Sequence, residues 1–307
     1  MSQAASSSSG RGGLASRLVA GTVVLATFAA LAWADAIGFA GAPPLAWLLP
    51  VVVLLASGAG HEVVRLAAAS GHDLGLLLVP AGAAVIAVSP AVAARLPVPD
   101  DPLAVVGPAA VATMAVVATI LAAGVARYAP GSAALARVSG SIAAAVAIGL
   151  PFAFMVALRL VGAAYARGPG GAGLVPLLSL VAVVKAGDIA AYAVGSTLGR
   201  HRMAPLLSPG KTWEGCAASV AGSLLAAWLV LDGWPRGSAR SPLGGWMVFG
   251  AVVGAAGIVG DLAESLVKRE LAAKDSGRLL GAMGGCLDLV DSLLLAAPVA
   301  WLLWAAG

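Results

Sequence analysis

Charge is the scarcest property of this chain: Asp, Glu, Lys and Arg make up 10% of its 307 residues, and there are three histidines. Soluble domains carry roughly 25% charged residues, so a soluble globular fold is excluded. Cysteine is nearly absent as well. Cys216 and Cys286 form neither a metal-ligand spacing nor a disulfide framework, and they read as small buried hydrophobes. What fills the chain instead is apolar: 60% hydrophobic residues, 40 glycines and a mean hydropathy of +0.98. Long apolar runs and abundant small residues describe membrane-spanning helices packed closely together.

Nine hydrophobic segments are predicted, at about 18–40, 43–60, 74–94, 102–124, 138–165, 173–197, 215–232, 243–266 and 286–305. Open strands cannot satisfy their backbone in lipid, so the expected fold is an all-α polytopic membrane protein of about nine transmembrane helices. Residues 1–16 are Ser/Gly-rich and expected to be a disordered cytoplasmic tail. The apolar run from Leu18 to Ala40 is longer than the roughly 7–15 residues of a signal-peptide core, so it reads as a retained first span. Residues 17–172 then form an N-terminal set of helices and 173–307 a C-terminal catalytic region. With the N-terminus in the cytoplasm, twelve basic residues fall in inside loops, Arg200, Arg202, Lys211, Lys268 and Arg269 among them. Four, Arg95, Arg167, Arg236 and Arg240, fall outside. This asymmetry sets the orientation and places both charged motifs on the cytoplasmic side.

The few charges are unevenly spread. Up to about Ala172 they sit mostly near segment ends; Asp35 and Glu62 are exceptions, read as structural or interfacial. In the sixth segment Lys185 and Asp188 share a helix face, either as a self-neutralising pair or as the lining of a polar cavity beside Tyr192. The loop that follows, GRHRMAPLLSPGKTWEG, contains Gly-Lys-Thr, but Pro205 stands where a phosphate-binding loop needs glycine and no strand is expected before it. Ser208, Lys211 and Thr212, with Arg200, His201 and Arg202, could still grip a polyphosphate or an anionic lipid head.

The densest charge runs from Gly260 to Leu294. Asp261 and Glu264 lie one turn apart at the end of the eighth segment, and Asp288 and Asp291 one turn apart at the start of the ninth. A charge at mid-membrane costs about 2.5–3.5 kcal/mol on insertion scales, so such a cluster needs a cation. Oxygen-only ligands point to Mg²⁺, and the lack of histidine in this stretch argues against zinc. With the basic run KRELAAKDSGR between the pairs, the chemistry indicated is metal-assisted phosphoryl or nucleotidyl transfer.

Ser265, Lys268, Arg269, Lys274, Asp275, Gly284, Gly285, Asp288 and Asp291 together resemble the signature of the phosphatidate cytidylyltransferase (CDP-diacylglycerol synthase) family. Gly260-Asp261-Leu262, Glu264 and the earlier stretch from Asp188 to Gly215 fit the same pattern, so the resemblance is specific over about 185–295. Two positions depart from it: Met283 stands in place of a histidine, and Leu289 in place of an arginine. The resemblance implies that CTP and phosphatidate give CDP-diacylglycerol and pyrophosphate, by attack of a phosphatidate oxygen on the α-phosphorus. It implies metal ligation by Asp261, Asp288 and Asp291, with Mg²⁺ paired to K⁺. Lys268, Arg269, Lys274 and Asp275 become the expected catalytic residues. Asp188, Ser208, Lys211, Thr212 and Glu264 become the expected substrate-binding ones. It further implies a homodimer in a bacterial inner membrane, with lipids and CTP as partners and no nucleic acid. Two rivals are a CTP-dependent polyprenol or phytol kinase, or a cytidylyltransferase for another lipid, and, from a different class, a secondary transporter using Lys185 and Asp188. Transporters often show matching inverted halves, whereas the charges here crowd into the C-terminal part.

Overall fold

A computed structural model describes residue 23 and residues 26–93, 102–165, 172–233, 241–271, 277 and 285–307. The predicted tail at 1–16 lies outside these residues. The protein is an all-α polytopic membrane protein. Its helices are α1 (26–36), α2 (Leu49–Ala69), α3 (Leu78–Val88), α4 (Pro90–Ala93), α5 (Pro102–Ala126), α6 (Ala134–Tyr165), α7 (Val175–Leu198), α8 (Trp213–Leu231), α9 (Gly245–Glu270) and α10 (Cys286–Ala306). Among the described residues seven helices are long and apolar enough to cross a membrane: α2 and α5 to α10. Residues Leu78–Val92 form a shorter apolar pair, broken where Pro90 cannot donate and Ser89 turns its hydroxyl onto Ile86 O at 2.7 Å.

Where described, each predicted hydrophobic segment contains helix, with shifts at the ends; the third is split into α3 and α4, and the described residues give seven helices of spanning length beside the nine predicted segments. The second shifts most: the helix starts at Leu49 and continues to Ala69, straight through His61, Glu62 and Arg65. Hydropathy stops at these polar residues, but the helix does not, because the Glu62 carboxylate is buried and bound elsewhere in the fold. The loop after α7 also differs from expectation. It folds as an antiparallel hairpin, β1 (Arg202–Ala204) with β2 (Ser208–Thr212), in which Arg202 faces Thr212 and Ala204 faces Ser208. Gly210-Lys211-Thr212 thus lies in a strand that runs directly into α8, with no phosphate-cradling loop between them.

One core joins the helices. Phe152, Val156, Leu158 and Val161 of α6 pack with Leu180 and Val183 of α7, Phe249 and Val253 of α9, and Val290, Ala297 and Trp304 of α10. Trp304 donates to Ser179 Oγ at 3.2 Å, so its indole N–H is satisfied in a dry setting. A smaller cluster of Ile86, Val116, Ile120 and Ala145 holds α3 and α5 against α6. At the other end of α6, Arg159 donates to Asp35 Oδ2 at 2.7 Å, to Asp35 O at 3.3 Å and to Gly173 O at 3.3 Å. Asp35 is therefore half of a buried pair that ties α1 to α6. Arg159, the other half, lies inside the fifth predicted segment, where the surrounding apolar residues hide it.

Candidate active site

The site forms where α7, α9 and α10 converge. Gly260 makes this possible: a Cβ there would lie 2.9 Å from Asp291 O, so only a glycine lets α9 approach the backbone of α10 so closely. Asp261 and Glu264, one turn apart on α9, then meet Asp291 on α10, with one oxygen of each carboxylate within 4.8 Å of the others. Lys268, a further turn along, bridges Glu264 Oε2 at 2.9 Å and Asp288 Oδ1 at 2.5 Å. Asp288 Oδ2 accepts the Gly285 N–H at 2.8 Å, an N-terminal cap of α10.

Four further contacts complete the cluster. Lys185 Nζ reaches both Asp188 Oδ2 and Ser292 Oγ at 3.2 Å, and Ser292 donates to Asp188 Oδ2 at 3.0 Å. From the hairpin, Lys211 Nζ lies 2.7 Å from Asp261 Oδ2. The hairpin is held in place from both ends. Glu214, in the first turn of α8, accepts the backbone N–H groups of Arg200 and His201 and meets His201 Nδ1 at 2.6 Å. Arg269 donates to Leu207 O at 3.2 Å across the turn.

The expected site residues divide accordingly. Asp261 and Asp291 of the expected metal set come together, but the third member of their group is Glu264 and not Asp288. The difference is geometric. Asp288 lies in the first turn of α10 and is drawn to the helix's own amide and to Lys268, whereas Asp291, a turn later, faces α9. Lys185, Asp188, Lys211 and Lys268 all join the cluster. Thr212 is buried and uses its hydroxyl to cap α8, accepting Gly215 N–H at 3.1 Å, so it supports the loop from beneath. Ser208 sits at the start of β2 opposite Ala204. Arg269 contacts the hairpin turn. Lys274 and Asp275, with Arg278, Met283 and Gly284, lie outside the described residues. Leu289 packs against the main apolar core. Ser292 is the member that sequence reasoning misses; one small hydroxyl among many leaves no signal beyond its place next to Asp291.

The electrostatics point to a cation. Among the described residues, Asp188, Asp261, Glu264, Asp288 and Asp291 face three ammonium groups, those of Lys185, Lys211 and Lys268. Acid is in excess at a place half removed from water, where unneutralised carboxylates repel. Glu264 is the sharpest case: its side chain is 6% exposed, and Oε1 has no hydrogen-bond partner. A hard divalent cation with oxygen ligands fits that donor set.

Next to the carboxylates opens a cavity of about 890 Å³ between α2, α6, α9 and α10. Its walls are apolar, with Val63, Leu74, Ala144, Phe154, Leu294 and Pro298 among them, while Glu264 and Asp291 also line it. His72, Asp73 and Arg137 add a second polar patch, where Arg137 lies 3.5 Å from Asp73. A space this size falls within the roughly 300–1,000 Å³ typical of ligand sites, and its greasy wall meeting a charged rim suits an amphiphile.

Comparisons with known proteins agree with this chemistry. The sequence profile of the cytidylyltransferase family matches residues 15–306. A phosphatidate cytidylyltransferase of Brucella suis is 44% identical over 165 residues, covering 52% of this chain and 56% of that relative. Those of Pseudomonas aeruginosa and Chlamydia trachomatis are 43% identical over 132 residues and 38% identical over 124 residues. The first match covers 43% of this chain and 48% of the relative, and the second 40% of each. The matched region thus spans about half the length of these curated relatives. The chain belongs to the cytidylyltransferase family.

Proposed function

We propose that this family member transfers CMP from CTP to phosphatidate, giving CDP-diacylglycerol and pyrophosphate. The observation that carries the reading is the apolar cavity ending on the carboxylate cluster. A lipid whose tails fill the cavity would have its phosphate beside Glu264 and Asp291, on the same side as Lys211 and Lys268. The phosphatidate oxygen attacks the α-phosphorus of CTP, a new P–O bond forms, and the bond to the β-phosphate oxygen breaks to release pyrophosphate. The attacking group is already ionised near neutral pH, so no general base is required. Mg²⁺, held by Asp261, Glu264 and Asp291, would polarise the phosphates and offset their charge. Lys211 would orient the triphosphate from the hairpin, and Lys268 would neutralise charge developing on the leaving group. Lys274 and Asp275 belong to the same proposal through the signature they complete, and K⁺ as a second cation rests on that resemblance as well.

The basic inside loops and the bacterial relatives support a place in the inner membrane with the site facing the cytoplasm. Glycine-rich helix faces and the family resemblance support a homodimer. Purified protein given CTP, phosphatidate and Mg²⁺ should yield a lipid heavier by one CMP unit, identified by mass. Transfer of the γ-phosphate alone would make the protein a lipid kinase, and no lipid product from any of several lipid phosphates would overturn the reading.

A further inference from the structure

Glu62 sits in the N-terminal half, on α2, yet both of its oxygens are committed to the start of α10. Oε1 accepts the Cys286 N–H at 2.9 Å and Oε2 the Leu287 N–H at 2.9 Å, from a position 224 residues before Cys286 in the chain. The carboxylate is almost sealed, with the residue 1% exposed. The first amides of a helix have no partner within it, and Gly285, just ahead of α10, has no side chain to offer one. Packing around Glu62 is shaped to admit it. A Cβ on Gly58 would lie 2.7 Å from Cys286 Sγ, and one on Gly277 would lie 2.6 Å from Glu62 Oε1. Glycine at these two positions lets α2 approach the start of α10 and lets residue 277 sit against the carboxylate.

We propose that Glu62 is a positioning residue for the transfer reaction: by clamping the first turn of α10, it holds Asp288 and Asp291 in register with Asp261, Glu264 and Lys268 on α9. The inference rests on the reading of the reaction given above. Asp288 is two residues beyond Cys286 and Asp291 is in the following turn, so a displaced first turn moves both carboxylates. Without Glu62, two amides in a dry setting lose their acceptors, and the turn opens to reach water. The N-terminal helices are then part of the machinery of the site, since α2 fixes the geometry of residues supplied by α10.

The experiment uses the full-length protein in detergent or nanodiscs, with the variants Glu62→Gln and Gly277→Ala. Gln keeps one acceptor and turns an NH₂ toward an N–H donor; Gly277→Ala keeps the carboxylate but presses on it. Three quantities are read: hydrogen exchange at the Cys286 and Leu287 amides, the Mg²⁺ concentration that gives half of the metal-induced rise in Tm, and turnover. In Glu62→Gln at least one of the two amides is expected to exchange about 10-fold faster or more. The Mg²⁺ midpoint should rise and turnover should slow by about 10–100-fold, the range for partners that orient metal ligands. Gly277→Ala should shift all three in the same direction by less, and it decides the question if Glu62→Gln does not fold. Unchanged amide protection in a folded Glu62→Gln protein overturns the proposal. So does lost protection with a wild-type Mg²⁺ midpoint and turnover, since Glu62 would then cap the helix without positioning the site. Absence of CMP transfer by the unaltered protein would instead sink the assigned reaction, and the exchange and Mg²⁺ measurements would still decide what Glu62 holds.

Discussion

Two buried charge clusters in this protein use the same residue types to opposite ends. Near the turn before α7, Asp35 and Arg159 pair one to one, with side chains 0% and 4% exposed, and each of the two terminal guanidinium nitrogens donates to a backbone carbonyl. At the junction of α7, α9 and α10, carboxylates outnumber ammonium groups, and the cluster borders a cavity. Among the described residues, each has one buried carboxylate oxygen without a hydrogen-bond partner, Asp35 Oδ1 and Glu264 Oε1. The surroundings separate them. The Asp35 oxygen belongs to a closed pair, whereas Glu264 lines a cavity and groups with two other acids. A buried pair that balances itself joins helices; a buried cluster left acidic is built to receive something.

This contrast can be broken experimentally, beginning with its strongest consequence. Asp291→Asn should slow turnover by about 10³-fold, the upper range for removing one preorganised electrostatic group, while Tm in the absence of Mg²⁺ stays level or rises as repulsion is relieved. Near-normal turnover would remove Asp291 from the site. Arg159→Leu should do the reverse: it leaves Asp35 uncompensated and should destabilise the fold by about 3–5 kcal/mol. Adding Asp35→Leu should recover much of that loss in a thermal melt, and a double variant no more stable than Arg159→Leu would contradict a closed, self-sufficient pair.

Smaller effects test the edges of the site. Leu294→Trp narrows the cavity, so KM for phosphatidate should rise about 10-fold, close to the 1–3 kcal/mol that pocket contacts are worth, with KM for CTP unchanged. An equal rise for CTP would mean that the cavity is not reserved for lipid. Arg269→Gln removes the contact to Leu207 O at the hairpin turn. A few-fold rise in KM for CTP is expected with kcat nearly unchanged, because loss of uniform binding acts on KM. Turnover slowed by about a hundredfold or more, the loss seen when a transition-state donor is removed, would move Arg269 from the hairpin to the chemistry.

Much of the site was legible because a charge inside an apolar run is conspicuous, and the spacing of Asp261 with Glu264 and of Asp288 with Asp291 put each pair one turn apart. The spacing could not say which carboxylates would meet. Asp288 is as near in sequence to Asp291 as Asp261 is to Glu264, yet its oxygens go to Gly285 N–H and Lys268. The hairpin was illegible for a related reason: SPGKT has a proline, a glycine and no alternating apolar pattern, and it is held by contacts from α8 and α9.

Sequence alone determined that this protein lies in a membrane, that its helices pack through small residues, and that acid and base gather near its C-terminus. These are local properties, set by hydropathy summed over a turn or a span. Tertiary structure decided that Glu264 completes the carboxylate group, that Glu62 grips the start of α10, and that an apolar cavity opens onto the acids. Those outcomes depend on how closely separate helices approach, which turns on contacts such as Gly260 against Asp291 and Gly58 against Cys286. No periodicity along the chain encodes a distance between residues hundreds of positions apart; packing and hydrogen bonding across the fold set it.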